Sequence, residues 1–458
     1  MHTTTRSITG KSITGRRWLV AIVSVVALIA VSCSGGGRST AKSSTTTGGG
    51  DTKQAIVDAA NCPSSGTTGI NGTTIKIGTS LPQSGLYSAF SEILKGEQAY
   101  FDYLNNDLGG VDIKGKKYKI ELTAKDDAYQ ADRTVQNVTS LVNDDQVFAL
   151  FNVVGTKNNL AIRDFVNQQC VPNLFAGTGS PAWGNPKYPW VLGSELTPYP
   201  LEAKALYDYL STTKPDANVA ILRASDDFGR AYSETFRSLI KGSKITIAKE
   251  ETYNPEQSET KSQVTSLAAT NADVLLLGAT LLACPNALQN VQSSGWKPLT
   301  YMSGTCTSKT LMSLAGTAAD GVLSVAGIME PGLPKWDSNP AMQLYKQKVA
   351  QYAPDADLEN AIVAYGWTTG ALLAETLRLS PALTRQAVME TARTLDVKDV
   401  GLVMPGVTLS VNAKDRFLGE TFTLAKFNAA AGHFDLVGDL LDFSGQTAKI
   451  TPPGLIAG

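Results

Sequence analysis

Between Thr73 and Val325 short apolar runs of strand length alternate with stretches whose apolar residues recur at helical spacing. That alternation leaves few folds open, because strand–helix–strand units build a parallel sheet covered by helices on both faces. The unit VFALFNVVGTKNNLAIRDFVNQQCVPNLFAGTGSP, Val147 to Pro181, shows it most plainly. Val147–Phe151 and Val171–Phe175 read as buried strands, and Asn158–Gln169 as a helix with Leu160, Ile162, Phe165 and Val166 inward. Parallel strands place the loops that follow them, 152–157 and 176–180, side by side at one sheet edge. Gly155, Thr156, Gly177, Thr178, Gly179 and Ser180 give these loops backbone N–H groups and hydroxyls suited to a carboxylate or amide oxygen. No acid, base or metal ligand stands among them.

The rhythm runs twice. After the strand Thr74–Ser80, the loop Leu81–Phe90 and the helix Ser91–Asp107, the first series continues to Trp190–Gly193. A second series follows, with helix Tyr199–Thr213, strand Asn218–Ala224, helix Gly229–Lys241, strand Ile245–Glu251, helix Glu259–Asn271 and strand Asp273–Leu277. Two doubly wound α/β lobes are therefore expected. Helical runs Ala341–Tyr352, Glu359–Leu379 and Thr384–Thr394 lack alternating strands and are expected to return to the first lobe, and the strand-like end, Val407–Val437, to the second. This gives 73–194 with 329–405 as lobe one, 195–328 with 406–445 as lobe two, and 446–458 as a tail.

Ahead of the lobes, residues 1–32 carry Arg6, Lys11, Arg16 and Arg17, no acid, and the apolar run Trp18–Val31. This is a signal-peptide pattern, too short in its apolar part to span a bilayer comfortably. Ala30-Val31-Ser32-Cys33 resembles a lipobox, which would make Cys33 an acylated N-terminus, and Arg16-Arg17 leaves the export route open between the general and twin-arginine pathways. Residues 33–72 begin with a Gly/Ser/Thr tract that behaves as a flexible tether with a reach of roughly 25 Å. Removing the four leader cations from the 40 basic residues leaves 36 against 41 acids, so nucleic acid is not an expected partner.

With Cys33 assigned to lipid, Cys62, Cys170, Cys284 and Cys306 form an even set in an exported chain, and disulfides are expected. Three pairings are possible. Cys284 and Cys306 each follow a strand, and neighbouring parallel strands would bring them within reach, which leaves Cys62 for Cys170. A zinc site would want paired Cys-x-x-Cys spacing and a nearby histidine, which the chain lacks. Beyond the leader the only histidine is His433, and there is no Gly-x-Ser-x-Gly elbow and no phosphate-binding glycine motif, so neither hydrolysis nor nucleotide binding is supported. No cofactor or metal is expected.

TIKIGTSLPQSGLYSAFSEILKG from Thr74, GGVDIKGKKYKIELTAKDDAYQADRTVQNVTSLV, the paired small-residue loops and ASDDFGRAYSETF, in that order, resemble the branched-chain amino acid (Leu/Ile/Val) binding family of type I periplasmic binding proteins. The resemblance covers Thr73 to Val437. It implies two lobes joined by three crossover strands, closing on a small solute and delivering it to an ABC permease; with the lipobox at Cys33, the protein is expected to be held at the membrane by its lipid alone. It also implies a ligand carboxylate held by Thr156, Gly177 and Gly179, flanked by Thr178 and Ser180, with Ser84, Tyr87 and Phe90 over it. At the positions where the family's second lobe grips an α-ammonium with an acid and phenols, this chain has Phe228, Thr280 and Thr305. An unpaired ammonium in a closed cleft costs several kcal/mol. A neutral amide or a carboxylate suits these residues better, unless Glu330, Glu359 or Asp226 takes the acid's place. A sensory receptor read by a membrane partner is the alternative to an importer component, and an enzyme is not expected.

Overall fold

The computed structural model describes residues 56–63 and 66–458; the leader, Cys33 and most of the tether lie outside them. The first sheet has the order Val111–Ile113, Lys116–Asp126, Thr74–Leu81, Ala149–Phe151, Asn173–Ala176, Val191–Gly193, with Ile70–Asn71 paired to the start of Thr74–Leu81. Its central pairs are parallel, and only the edge hairpin and Ile70–Asn71 run antiparallel. The second sheet has the order His433–Asp442, Thr421–Asn428, Leu323–Ala326, Leu299–Met302, Val274–Gly278, Asn218–Ala224, Thr246–Tyr253. Its last two strands in sequence close it antiparallel. Val274–Gly278, with helices on both faces of its sheet, is buried at every position, which explains its unbroken apolar run.

The chain crosses between the sheets three times, after Val191–Gly193, after Leu323–Ala326 and before Thr421–Asn428. Helices Pro340–Tyr352, Ala361–Leu379 and Arg385–Ala392 pack into the core of the first sheet. Ala361–Leu379 is apolar nearly all round and buried along most of its length, so it serves as a core helix rather than an amphipathic cover. It lies against Ser91–Asn106 at close range. A Cβ added at Gly96 would sit 2.7 Å from the Trp367 nitrogen, and one at Gly366 would sit 2.9 Å from the Ile93 carbonyl carbon.

Several elements were not legible in the sequence. Cys284 lies in the first turn of helix Ala283–Ser294, and Asp396–Lys398 pairs with Thr408–Ser410 in a small separate hairpin. The end of the chain is also built in. Arg163 and Asn185 both donate to the Ala457 carbonyl at 3.3 Å, while Thr447 donates to Glu420 on the third crossover. Disulfides join Cys62 to Cys170 and Cys284 to Cys306, with Cα separations of 5.6 and 6.3 Å.

Candidate ligand-binding site

The loops after Ala149–Phe151 and Asn173–Ala176 do run side by side. Val154 and Gly177 form a parallel bridge, and the Gly177 nitrogen donates to the Val153 carbonyl at 2.9 Å. Gly155 takes a φ of +104°, and a Cβ there would lie 2.6 Å from the Tyr129 ring, so only glycine lets the chain turn this close to the aromatic wall. Being the N-cap, it offers no side chain to the helix Thr156–Gln168, and it is the residue through which the positive end of that helix dipole borders the cavity.

That cavity, about 140 Å³, lies between the lobes and is bordered by Gly155 and Gly177 on one side and by Phe228, Thr280 and Thr305 on the other. An apolar cavity of similar size takes a benzene-sized guest, so a small solute fits it. Phe90, Tyr129 and Tyr199 complete its aromatic wall, and Leu196, Val325, Ile328, Ile362 and Phe434 continue it toward the crossovers. Thr305 is braced from behind, donating to the Ala279 carbonyl at 3.3 Å, and the Cys284–Cys306 bridge ties its turn to the helix that follows Thr280.

Other residues singled out by the sequence stand back from the cavity. Thr156 and Thr178 are buried and hydrogen-bond each other, 2.7 Å between their Oγ1 atoms, and Tyr199 Oη donates to Thr178 at 3.3 Å. Gly179 accepts from the Tyr199 nitrogen and packs against that ring. Ser180 caps the short turn Pro181–Gly184, and Ser84 donates to Asp126 at 2.5 Å. Tyr87 stacks on Tyr129 with centroids 3.9 Å apart, and its Oη donates 2.7 Å to the carbonyl of Pro255 in the other lobe.

Three acids border the cavity, where the second-lobe positions inherited from the family pattern showed none: Glu195, Glu202 and Glu330. Glu202 Oε2 accepts from Tyr232 Oη at 2.9 Å and the Gly304 nitrogen at 2.8 Å. Glu195 accepts from Thr369 Oγ1 at 2.7 Å. Burial pushes Glu195 up to about 7 and Glu202 and Glu330 up to about 8, because an ionised carboxylate loses its hydration there. Of the two other candidate acids, Asp226 caps helix Asp227–Leu239 through Gly229, and Glu359 is paired with Lys309 across the lobes. Tyr199 and Glu202 were missed because both sit in the first turn of a helix whose facing is set by the crossover before it. Their three-residue spacing, which puts them on one helix face, was the only available signal.

A family model described as periplasmic binding protein matches residues 74–432. The chain belongs to the periplasmic binding protein family. Among solved structures of similar fold are a substrate-binding periplasmic protein from Ralstonia solanacearum, 23% identical, covering 79% of this chain and 100% of that one with a TM-score of 0.70. A branched-chain amino acid ABC transporter protein from Thermus thermophilus with bound valine is 17% identical, with 83% and 99% covered and a TM-score of 0.73. A fatty acid ABC transporter substrate-binding protein from Thermomonospora curvata is 19% identical, with 84% and 97% covered and a TM-score of 0.72. The binding protein thus has the type I two-lobed architecture of a family that binds solutes rather than transforming them. Family membership implies export, and among the described residues no helix is long and apolar enough to cross a membrane.

The lobes touch over the cavity through Tyr87 with Pro255, Lys309 with Glu359, and Ser308 with Asn360 at 3.3 Å. Because such a hydrogen bond contributes about 0.5–1.5 kcal/mol net, Tyr87→Phe should weaken apparent solute affinity by roughly 3- to 10-fold through loss of closure. Small-angle scattering of the unliganded variant should show a larger radius of gyration than wild type; an unchanged radius and affinity would rule the contact out as a latch.

Proposed function

We propose that this protein is the extracytoplasmic solute receptor of an ABC importer, lipid-anchored through Cys33, which captures a small amino-acid-like, carboxylate or amide solute by closing its lobes and presents it to the permease. The observation that carries this reading is a mostly apolar cavity enclosed between two lobes already in contact, with an uncapped helix N-terminus on one wall. The helix N-terminus at Gly155 favours an oxyanion, and Phe90, Phe228 and the aliphatic wall favour an apolar body. Closure then follows from contacts that only the closed state makes with the ligand.

The test is a thermal-shift screen of the chain from Gln54 onward, unfolded and refolded to strip trapped solute. The panel holds branched-chain and aromatic amino acids, their deaminated acids and small amides. A ligand at 100 times its dissociation constant stabilises by about 2.7 kcal/mol, a readable shift. Phe228→Ala should reduce that shift without abolishing cooperative unfolding. A panel in which no compound moves the transition would sink the reading.

A further inference from the structure

Glu330 stands on the second crossover, 6% exposed, with its side chain on the cavity wall. Its Oε1 has no hydrogen-bond partner among the described residues. The neighbouring cation, Lys309, is engaged with Glu359. Glu195, on the first crossover and 5% exposed, repeats the arrangement: Thr369 satisfies Oε1, and Oε2 is left without a partner. Around these carboxyls the wall is apolar, with Leu196, Ile328, Ile362 and Phe434. A buried carboxyl oxygen without a partner is destabilising, because its lost hydration is not replaced. Carboxyls of two cavity-lining residues with unmet hydrogen-bonding capacity favour a guest that brings hydrogen-bond donors, and best one that brings a positive charge.

We propose that Glu330, supported by Glu195, receives a protonated nitrogen of the solute, so that the ligand is an apolar-bodied amine held at the crossovers rather than at the Thr280 and Thr305 turns. This rests on the reading of the cavity as the solute site. It also gives the ligand a direct hold on the hinge, because the segments that carry both carboxyls are those that must bend as the lobes open and close. With the lobes in contact, burial favours the protonated form of Glu330, and an arriving ammonium displaces that proton to solvent. The charged and titratable groups around it are Glu359, Lys309, Tyr345 and, beside Gly332, His433.

The experiment is calorimetry on the refolded chain from Gln54 with two matched pairs of probes: leucine against 4-methylpentanoate, and phenylalanine against 3-phenylpropionate. The amine-bearing member of each pair should bind on the order of 30-fold or more tightly, and Glu330→Gln should remove that preference while leaving the deaminated member unchanged. With the wild-type protein, titration in two buffers of different ionisation enthalpy should show release of roughly one proton per amine bound at pH 7. Glu330→Asp, which keeps the charge, should retain part of the preference if Glu330→Gln fails to fold. Binding that ignores the nitrogen, or a Glu330→Gln variant that keeps the preference, overturns this inference and leaves the solute-receptor reading intact. A folded protein that binds no probe overturns both.

Discussion

Gly366→Val is expected to lower the stability of the folded chain by about 3 kcal/mol, the upper end of what overpacking a tight core costs. Helices Ser91–Asn106 and Ala361–Leu379 meet backbone to backbone at Gly96 and Gly366, where an added side chain would enter the space of the Ile93 carbonyl and could escape only by separating the helices. Neither helix has room to move, since Trp367 is already held by Tyr100, Tyr103 and Tyr345 at centroid distances of 5.0 to 5.8 Å. Denaturant unfolding should show a lower midpoint for Gly366→Val and an unchanged one for Gly454→Ala, where a Cβ meets nothing within 4 Å. A Gly366→Val protein as stable as wild type would mean that the two helices do not cross in this register.

Unliganded stability should fall as pH rises from 5 to 8. Glu195, Glu202 and Glu330 hold their protons in the folded state up to about 7, 8 and 8, whereas in the unfolded chain they lose them near the ordinary value of 4.5. Across that window the native state binds more protons than the unfolded state. Each group therefore removes up to about 1.4 kcal/mol of stability per pH unit, fully present below the unfolded value and lost as pH rises through the folded one. Acids pulled down by their partners, such as Asp107 beside Lys348 and Glu250 beside Arg223 and Arg237, act only below the ordinary carboxylate range and do not obscure the trend. Melting temperatures recorded at half-unit intervals should slope downward, and Glu330→Gln should flatten part of the slope. A profile that is level or rises between pH 5 and 8 would show that these carboxyls are ionised and solvated in the native state.

The strand–helix rhythm carried most of the fold because it is local. The apolar run Asp273–Leu277 announced a strand, which the fold places at Val274–Gly278, and Tyr199–Thr213 and Asn218–Ala224 were readable to the residue from the strand–helix rhythm. The small-residue turns after Phe151 and Ala176 had to be adjacent, since parallel strands leave their loops on one edge. The side chains of the site were less legible, because facing depends on contacts distant in sequence. Thr156 and Thr178 looked like ligand hydroxyls and instead satisfy each other, a pairing that the neighbouring loops allow and that no spacing announces. Tyr87 was read as lying over the ligand and is stacked on Tyr129, with its hydroxyl spent on Pro255 once the lobes meet.

The two parallel-dominated sheets and the pair of glycine-rich turns at the edge of the first were legible along the chain, because strand and helix periods are set by neighbouring residues, whereas the three crossings came from the family resemblance rather than from any local pattern. That Glu195, Glu202 and Glu330 share one cavity emerges only from the folded chain. They are carried by two crossovers and a helix's first turn, and their proximity arises when the lobes close over apolar surface, which no local pattern encodes.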